Sequence, residues 1–144
     1  MNGTLLVGTD GSDGASRAIE FALQQAKLTG EDLVVAYVIE WSPFSFNTPR
    51  ELEERHKRRE EEIERAQTEV IEPLLQSLED SGVNVRGMVR HGNPASTLDE
   101  LARGIDARVI FVGRKGMSKL QAMLFGSVAG SLVQICDRPV TVVP

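Results

Sequence analysis

Val112-Gly-Arg-Lys-Gly-Met-Ser-Lys-Leu-Gln-Ala-Met-Leu-Phe-Gly-Ser-Val128 follows the strand-like run Arg108-Val-Ile-Phe-Val112 and leads into an apolar-periodic segment, Val128, Leu132, Val133 and Ile135. A Gly-rich segment between a strand and a helix is where an α/β protein holds an anion. Glycine lets backbone N–H groups face the ligand, and the start of a helix adds partial positive charge. Gly113 and Gly116 bracket a tight turn at the strand end, where side chains would block close approach to a phosphate. Gly126-Ser127 stands at the helix entrance, where the Ser hydroxyl and the first-turn N–H groups both reach an oxyanion. Arg114, Lys115 and Lys119 add three cations, which suits a polyanion. On local pattern alone a second reading stands beside this one: the glycines only turn the chain, and Gly126-Ser127 only caps a helix.

Outward from this stretch, strand and helix patterns alternate along the whole chain. Thr4 to Gly8 reads as a strand buried on both faces, followed by a turn from Thr9 to Gly14. Glycines at 8, 11 and 14 do not give G-x-G-x-x-G, and the chain has no G-x-x-x-x-G-K-[ST] loop. Asp10 would repel a phosphate placed on this turn. It reads either as a turn or capping residue or as an acceptor for a ribose diol. Ala18, Ile19, Ala22, Leu23 and Ala26 recur at helical spacing up to a stop at Gly30, and Leu33 to Ile39 is a second central strand. A loop follows from Trp41 to Thr48, where Trp41 lies close enough after Val38 to sit beside a base.

Beyond Pro49 a run of mixed charges, with Glu51/Arg55 and Glu54/Arg58 at i,i+4 spacing, predicts a long exposed helix that Pro73 kinks or restarts near Glu72. Val83 to Val89 alternates as a strand near a sheet edge does. His91-Gly-Asn-Pro94 turns the chain, with His91 a turn residue, Asn93 the N-cap and Pro94 the first helical residue. A short helix ends near Gly104, the 108–112 strand follows, and after the cradle come a helix from Ser127 to about Cys136 and a last strand, Val140 to Val143. The fold class is therefore α/β, Rossmann-like: an open, mostly parallel five-stranded sheet with helices on both faces. Ligands of such sheets bind outside the carboxyl ends of the strands, so the end of the second strand, around Val38, faces the same crevice as Asp10.

Gly113-x2-Gly116-x9-Gly126-Ser127 resembles the nucleotide-binding pattern of the universal stress protein (Usp) family, ATP-binding branch. Leu5-Leu-Val-Gly-Thr-Asp-Gly-Ser12, Tyr37-Val-Ile-Glu40, His91-Gly-Asn-Pro94 and Arg138-Pro-Val-Thr-Val-Val143 are similar to that family too, so the likeness spans essentially the whole chain. The resemblance implies strand order 3-2-1-4-5. It implies ATP, with Mg²⁺, held by Thr9, Asp10, Val38, Val112, Gly113, Arg114, Gly116, Gly126, Ser127 and Val128, with backbone groups at Val38 reading the adenine edge. It also implies a regulatory role in stress responses, exercised on partner proteins and coupled to nucleotide occupancy, and a homodimer through the C-terminal edge strand, Val140 to Pro144, whose uncovered apolar edge invites a second copy.

Composition bounds the rest. The 144 residues fit one domain, expected over 1–144, and 41% hydrophobic with 26% charged residues is a globular composition. A net charge of −5 argues against sequence-independent nucleic-acid binding. The single cysteine, Cys136, has no partner at zinc-ligand spacing and reads as a buried structural thiol, which fits a reducing compartment. No apolar stretch approaches the roughly 20 residues that span a bilayer, and no secretory leader is legible, so a cytoplasmic location is expected. His56 is expected at the surface, with no metal.

Three other functions compete. A phosphoryl-accepting receiver would need an Asp at the end of the third strand, where this chain has Val89-Arg90-His91. An ATP-activating enzyme on a related fold needs a Ser-Gly-Gly-x-Asp-Ser loop, which Thr9 to Gly14 lacks. A structural dimer with an empty crevice is disfavoured by the retained motif glycines. With no obvious base near Gly113 or Gly126 for water attacking a γ-phosphate, no catalytic residue is assigned and binding rather than turnover is expected, slow hydrolysis aside.

Overall fold

The computed structural model describes residues 3–40, 49–114 and 127–144. Five strands, β1 (Thr4–Thr9), β2 (Asp32–Glu40), β3 (Val85–Gly92), β4 (Ala107–Gly113) and β5 (Val140–Val143), form one sheet in the order β3-β2-β1-β4-β5. All four pairings are parallel: Leu5 stands opposite Leu33, Val7 opposite Phe111, Val35 opposite Gly87 and Ile110 opposite Val140. The expected strand order holds, and the sheet is parallel throughout.

Helices cover both faces because the central strands are apolar at odd and even positions alike. Leu5, Val7, Leu33, Val35, Val109 and Phe111 pack toward α1 (Asp13–Thr29), which contributes Ala18, Ile19, Ala22, Leu23 and Ala26 to that layer. Leu6, Val34, Ala36, Ile110 and Val112 pack on the other face with Ala95, Leu98 and Ala102 of α4 (Pro94–Gly104) and Ala129 and Leu132 of α5 (Ser127–Ile135). Leu5, Leu6, Leu33, Ile110 and Leu132 are fully buried, each contributing about 2 kcal/mol of transfer free energy.

Local chemistry sets the element ends. Ser12 caps α1, its Oγ accepting the Ala15 N–H at 3.2 Å, so the helix begins at Asp13, inside the stretch from Thr9 to Gly14 expected as a turn. The N–H of Gly30 closes that helix on the Ala26 carbonyl at 2.8 Å. The charged run forms α2 (Pro49–Ala66), with i,i+4 pairs Arg50–Glu54 at 3.7 Å and His56–Glu60 at 3.0 Å, and His56 lies at the surface as expected. A π turn, Gln67–Ile71, then joins α2 to α3 (Glu72–Ser77). Pro73 stands in the first turn of α3, where its missing N–H is tolerated, and the widened turn ahead of it is how the chain restarts at Glu72. Ile71 from that turn seats on Gly87 of β3, whose missing side chain leaves the room.

The reading of His91 is corrected. It lies within β3, opposite Ile39, and not in a turn, because parallel pairing to β2 carries the strand on to Gly92. Its side chain faces α2, with Nε2 3.5 Å from the Glu62 carboxylate. β3 also begins at Val85, two residues after the expected start at Val83.

The amino ends of the strands are tied by an ion pair. Arg108 at the start of β4 donates from Nε to both oxygens of Glu31 at 3.0 Å, and from Nη2 to Oε1 at 2.6 Å. Glu31 is 7% exposed, and the Arg108 hydrogen bonds hold its carboxyl below the usual carboxylate range against the opposing effect of burial. The folded-state value is depressed, so this contribution is present above the carboxyl's unfolded pKa and is lost as pH falls through the folded one. Half of the Arg108 side chain is exposed, which leaves its charge hydrated if the pair is broken. Glu31→Gln is expected to lower stability by about 1 kcal/mol at neutral pH. In urea denaturation the gap to the parent chain should be flat through neutral pH and narrow in acid below the usual carboxylate range.

Candidate functional site

The carboxyl ends of β2, β1 and β4 lie side by side, and the strand connections reverse between β1 and β4. An open parallel sheet forms a crevice at that point, since the chain leaves neighbouring strands toward opposite faces. Thr9 ends β1 with Asp10 next to it, Val38 lies near the end of β2, and Val112 and Gly113 end β4 with Arg114 following. Ser127 opens α5, and Val128 is half-buried against the same core as Val112. Gly116 and Gly126 of the Gly pattern lie outside the described residues, as do Lys115, Lys119 and Trp41.

The turn after β1 is built by its own side chains. Thr9 Oγ1 accepts the Gly11 N–H at 3.2 Å, and Asp10 Oδ1 accepts the Ser12 N–H at 2.9 Å. Gly11 takes a left-handed φ of 82°, which a side chain would strain. The turn role for Asp10 is thus realised, and the same bond orients its carboxylate at the β1 end. Val112 is buried, leaving only its main chain to a ligand, whereas Val38 is half-buried at the end of β2. Arg114 is exposed, and its N–H is held on the Val143 carbonyl at 2.7 Å, so β5 helps to set the course of the chain as it leaves β4.

Gly113 has a second reason to be bare. A β-carbon there would stand 2.8 Å from both the carbonyl carbon and oxygen of Gly14 and 3.2 Å from the Ala15 nitrogen, all main-chain atoms of the first turn of α1. The end of β4 and the start of α1 touch backbone to backbone. The signal for this contact was present in the sequence as two small residues, Gly14-Ala15, at a helix start, but only the fold shows what presses against them.

The family model described as "Universal stress protein family" matches residues 1–144. The chain belongs to the universal stress protein family. A universal stress protein from Thermus aquaticus is 30% identical over 140 residues, covering 97% of each chain. Universal stress protein MJ0531 of Methanocaldococcus jannaschii is 29% identical over 139 residues, 96% of this chain and 80% of that one. Among solved structures, that of protein MJ0577 superposes with a TM-score of 0.82 at 25% identity over 99% of this chain and 96% of that one. A universal stress protein in complex with cAMP shares the fold, with a TM-score of 0.66 at 24% identity over 99% and 96% of the two chains. Among the described residues of this universal stress protein, no helix is long and apolar enough to cross a membrane.

The Gly113 contact yields a stability test. Gly113→Ala forces the first turn of α1 away from β4 and is expected to cost about 1–3 kcal/mol. Chemical denaturation should show it without any ligand present; an unchanged midpoint would mean that Gly113 is not bare for packing reasons.

Proposed function

We propose that this universal stress protein binds an adenine nucleotide, ATP with Mg²⁺, across the carboxyl ends of β1, β2 and β4, and acts as a binding and regulatory module. The observation that carries the reading is the convergence at one switch point of an oriented carboxylate, Asp10, a half-buried apolar strand end, Val38, and the bare, cation-flanked exit of β4 at Gly113 and Arg114. These suit a ribose, a base and a phosphate tail in that order. Thr9 and Asp10 accept from the sugar hydroxyls, backbone groups at Val38 meet the adenine edge, and the phosphates lie along Val112, Gly113 and Arg114 toward Gly116, Gly126, Ser127 and Val128. The spacing Gly113-x2-Gly116-x9-Gly126-Ser127 supports the phosphate end. Mg²⁺ would neutralise part of the phosphate charge. One solved structure that shares this fold is of a complex with cAMP; for this chain the ligand reading rests on its own residues.

The oxygen acceptors belong to the nucleoside end of the nucleotide, away from the γ-phosphate, which favours binding over hydrolysis. The competing reading, an ATP-consuming enzyme, is separated from this one by incubating the chain with ATP and looking for ADP or AMP. Calorimetry with ATP and Mg²⁺ is expected to give one site per chain. Because Gly113→Ala perturbs the fold, the phosphate end is better tested at Gly126→Val and Arg114→Ala. The first should abolish binding by filling the anion cradle, and the second should weaken it about tenfold by removing one charge-assisted contact. No heat with the parent chain, or full affinity in Gly126→Val, would overturn the assignment.

The dimer reading rests on β5, a four-residue edge strand whose outer side has no neighbouring strand among the described residues. Two copies pairing along it would cover the open β5 edge of each, and occupancy of the crevice could be read by a partner protein. Sedimentation of a chain truncated after Pro139 should give a monomer with the helical circular dichroism retained. A folded truncated dimer would refute the edge pairing.

A further inference from the structure

Away from the crevice, the turn that follows α5 packs against α4. Arg138 anchors it, Nη1 donating to the carbonyls of Ala102 at 3.0 Å and Ala107 at 2.6 Å. This brings Cys136 and Asp137 to Asp99 of α4, 37 residues back in sequence from the cysteine. One carboxylate oxygen of Asp99, the Cys136 thiol and one carboxylate oxygen of Asp137 all lie within 4.8 Å of one another. Asp99 is 6% exposed, an uncommon position for an aspartate, since burial disfavours the charged form unless it is matched. Only half of its carboxylate is matched. Oδ2 accepts from Arg103, one turn further along α4, whereas Oδ1 is shut off from solvent with no hydrogen-bond donor among the described residues.

We propose that Asp99, Cys136 and Asp137 form a binding site for a divalent cation of the zinc class. A thiolate with two carboxylates suits a borderline-soft ion; magnesium and calcium take oxygen-only shells. Oδ1 of Asp99 supplies the buried ligand, and the cation takes the place of the donor that this oxygen lacks. Arg103 on Oδ2 serves as the outer partner that fixes the carboxylate's orientation, as hydrogen bonds to metal-ligating carboxylates do. Asp137 is exposed and shares its Oδ1 with Arg138 Nε at 3.4 Å, so it closes the site from the solvent side and leaves a fourth position for water. Binding replaces the thiol proton of Cys136, which passes to solvent, by a sulfur–metal bond, with no change of oxidation state. The ion would join the end of α5 to the middle of α4, two elements that otherwise meet through apolar packing.

The test uses the full chain, reduced and free of nucleotide, titrated with Co²⁺ as a spectroscopic substitute for Zn²⁺. A thiolate-to-cobalt charge-transfer band should grow to one equivalent and collapse when Zn²⁺ is added. It should be absent in Cys136→Ser and need at least about tenfold more Co²⁺ in Asp99→Asn. Zn²⁺ should also slow alkylation of Cys136 in the parent chain. Should Asp99→Asn lose its helical circular dichroism, the exposed Asp137→Asn decides, with the same tenfold weakening expected. No charge-transfer band in the parent chain overturns the site, as does a band of undiminished affinity in the folded aspartate variant.

Discussion

Every strand at the centre of this sheet has to be apolar on both faces, and that constraint organises the molecule. Leu5 and Val7 point into one helical layer while Leu6 between them points into the other. With both faces filled, by α1 and the α2–α3 segment on one side and by α4 and α5 on the other, the described strands have no open face to offer a ligand. Polar groups appear where strands stop, and parallel pairing sends all the carboxyl ends to one side. The same burial that stabilises the fold leaves those ends as the place where an open parallel sheet takes a ligand.

The two ends of the sheet are treated differently. At the amino ends, Arg108 and Glu31 form a multiply bonded pair that holds β4 and the entry to β2 together. At the carboxyl ends, the polar groups are arranged around the exit turns: Thr9 and Asp10 spend hydrogen bonds on their own backbone, and Arg114 projects its side chain outward. One end is a clamp, and the other is a set of donors and acceptors held in place by the exit turns.

Much of the scaffold was legible because it depends on local pattern. Periodicity and caps located β5 at Val140–Val143, α4 from Pro94 after the Asn93 cap, and a kink or restart of the helix near Glu72. His91 shows where local pattern fails. The sequence His91-Gly-Asn-Pro94 carries turn residues, yet β2 is long enough to pair with His91 and Gly92 and keeps them extended. Pairing energy with a neighbouring strand overrides a local turn preference, and no property of the segment itself reports the neighbour's length.

The sequence by itself determined the alternation of strands and helices, the family, and the residues that gather at the strand ends, because apolar periodicity, helix caps and Gly spacing are written locally. Only the tertiary structure decided what presses on those residues. Gly113 is bare at least in part because the main chain of Gly14 lies against it, and Asp99 stands beside Cys136 because Arg138 draws the last turn onto α4. Contacts of that kind join residues tens of positions apart through packed elements, and such distances become short only after both layers have closed on the sheet.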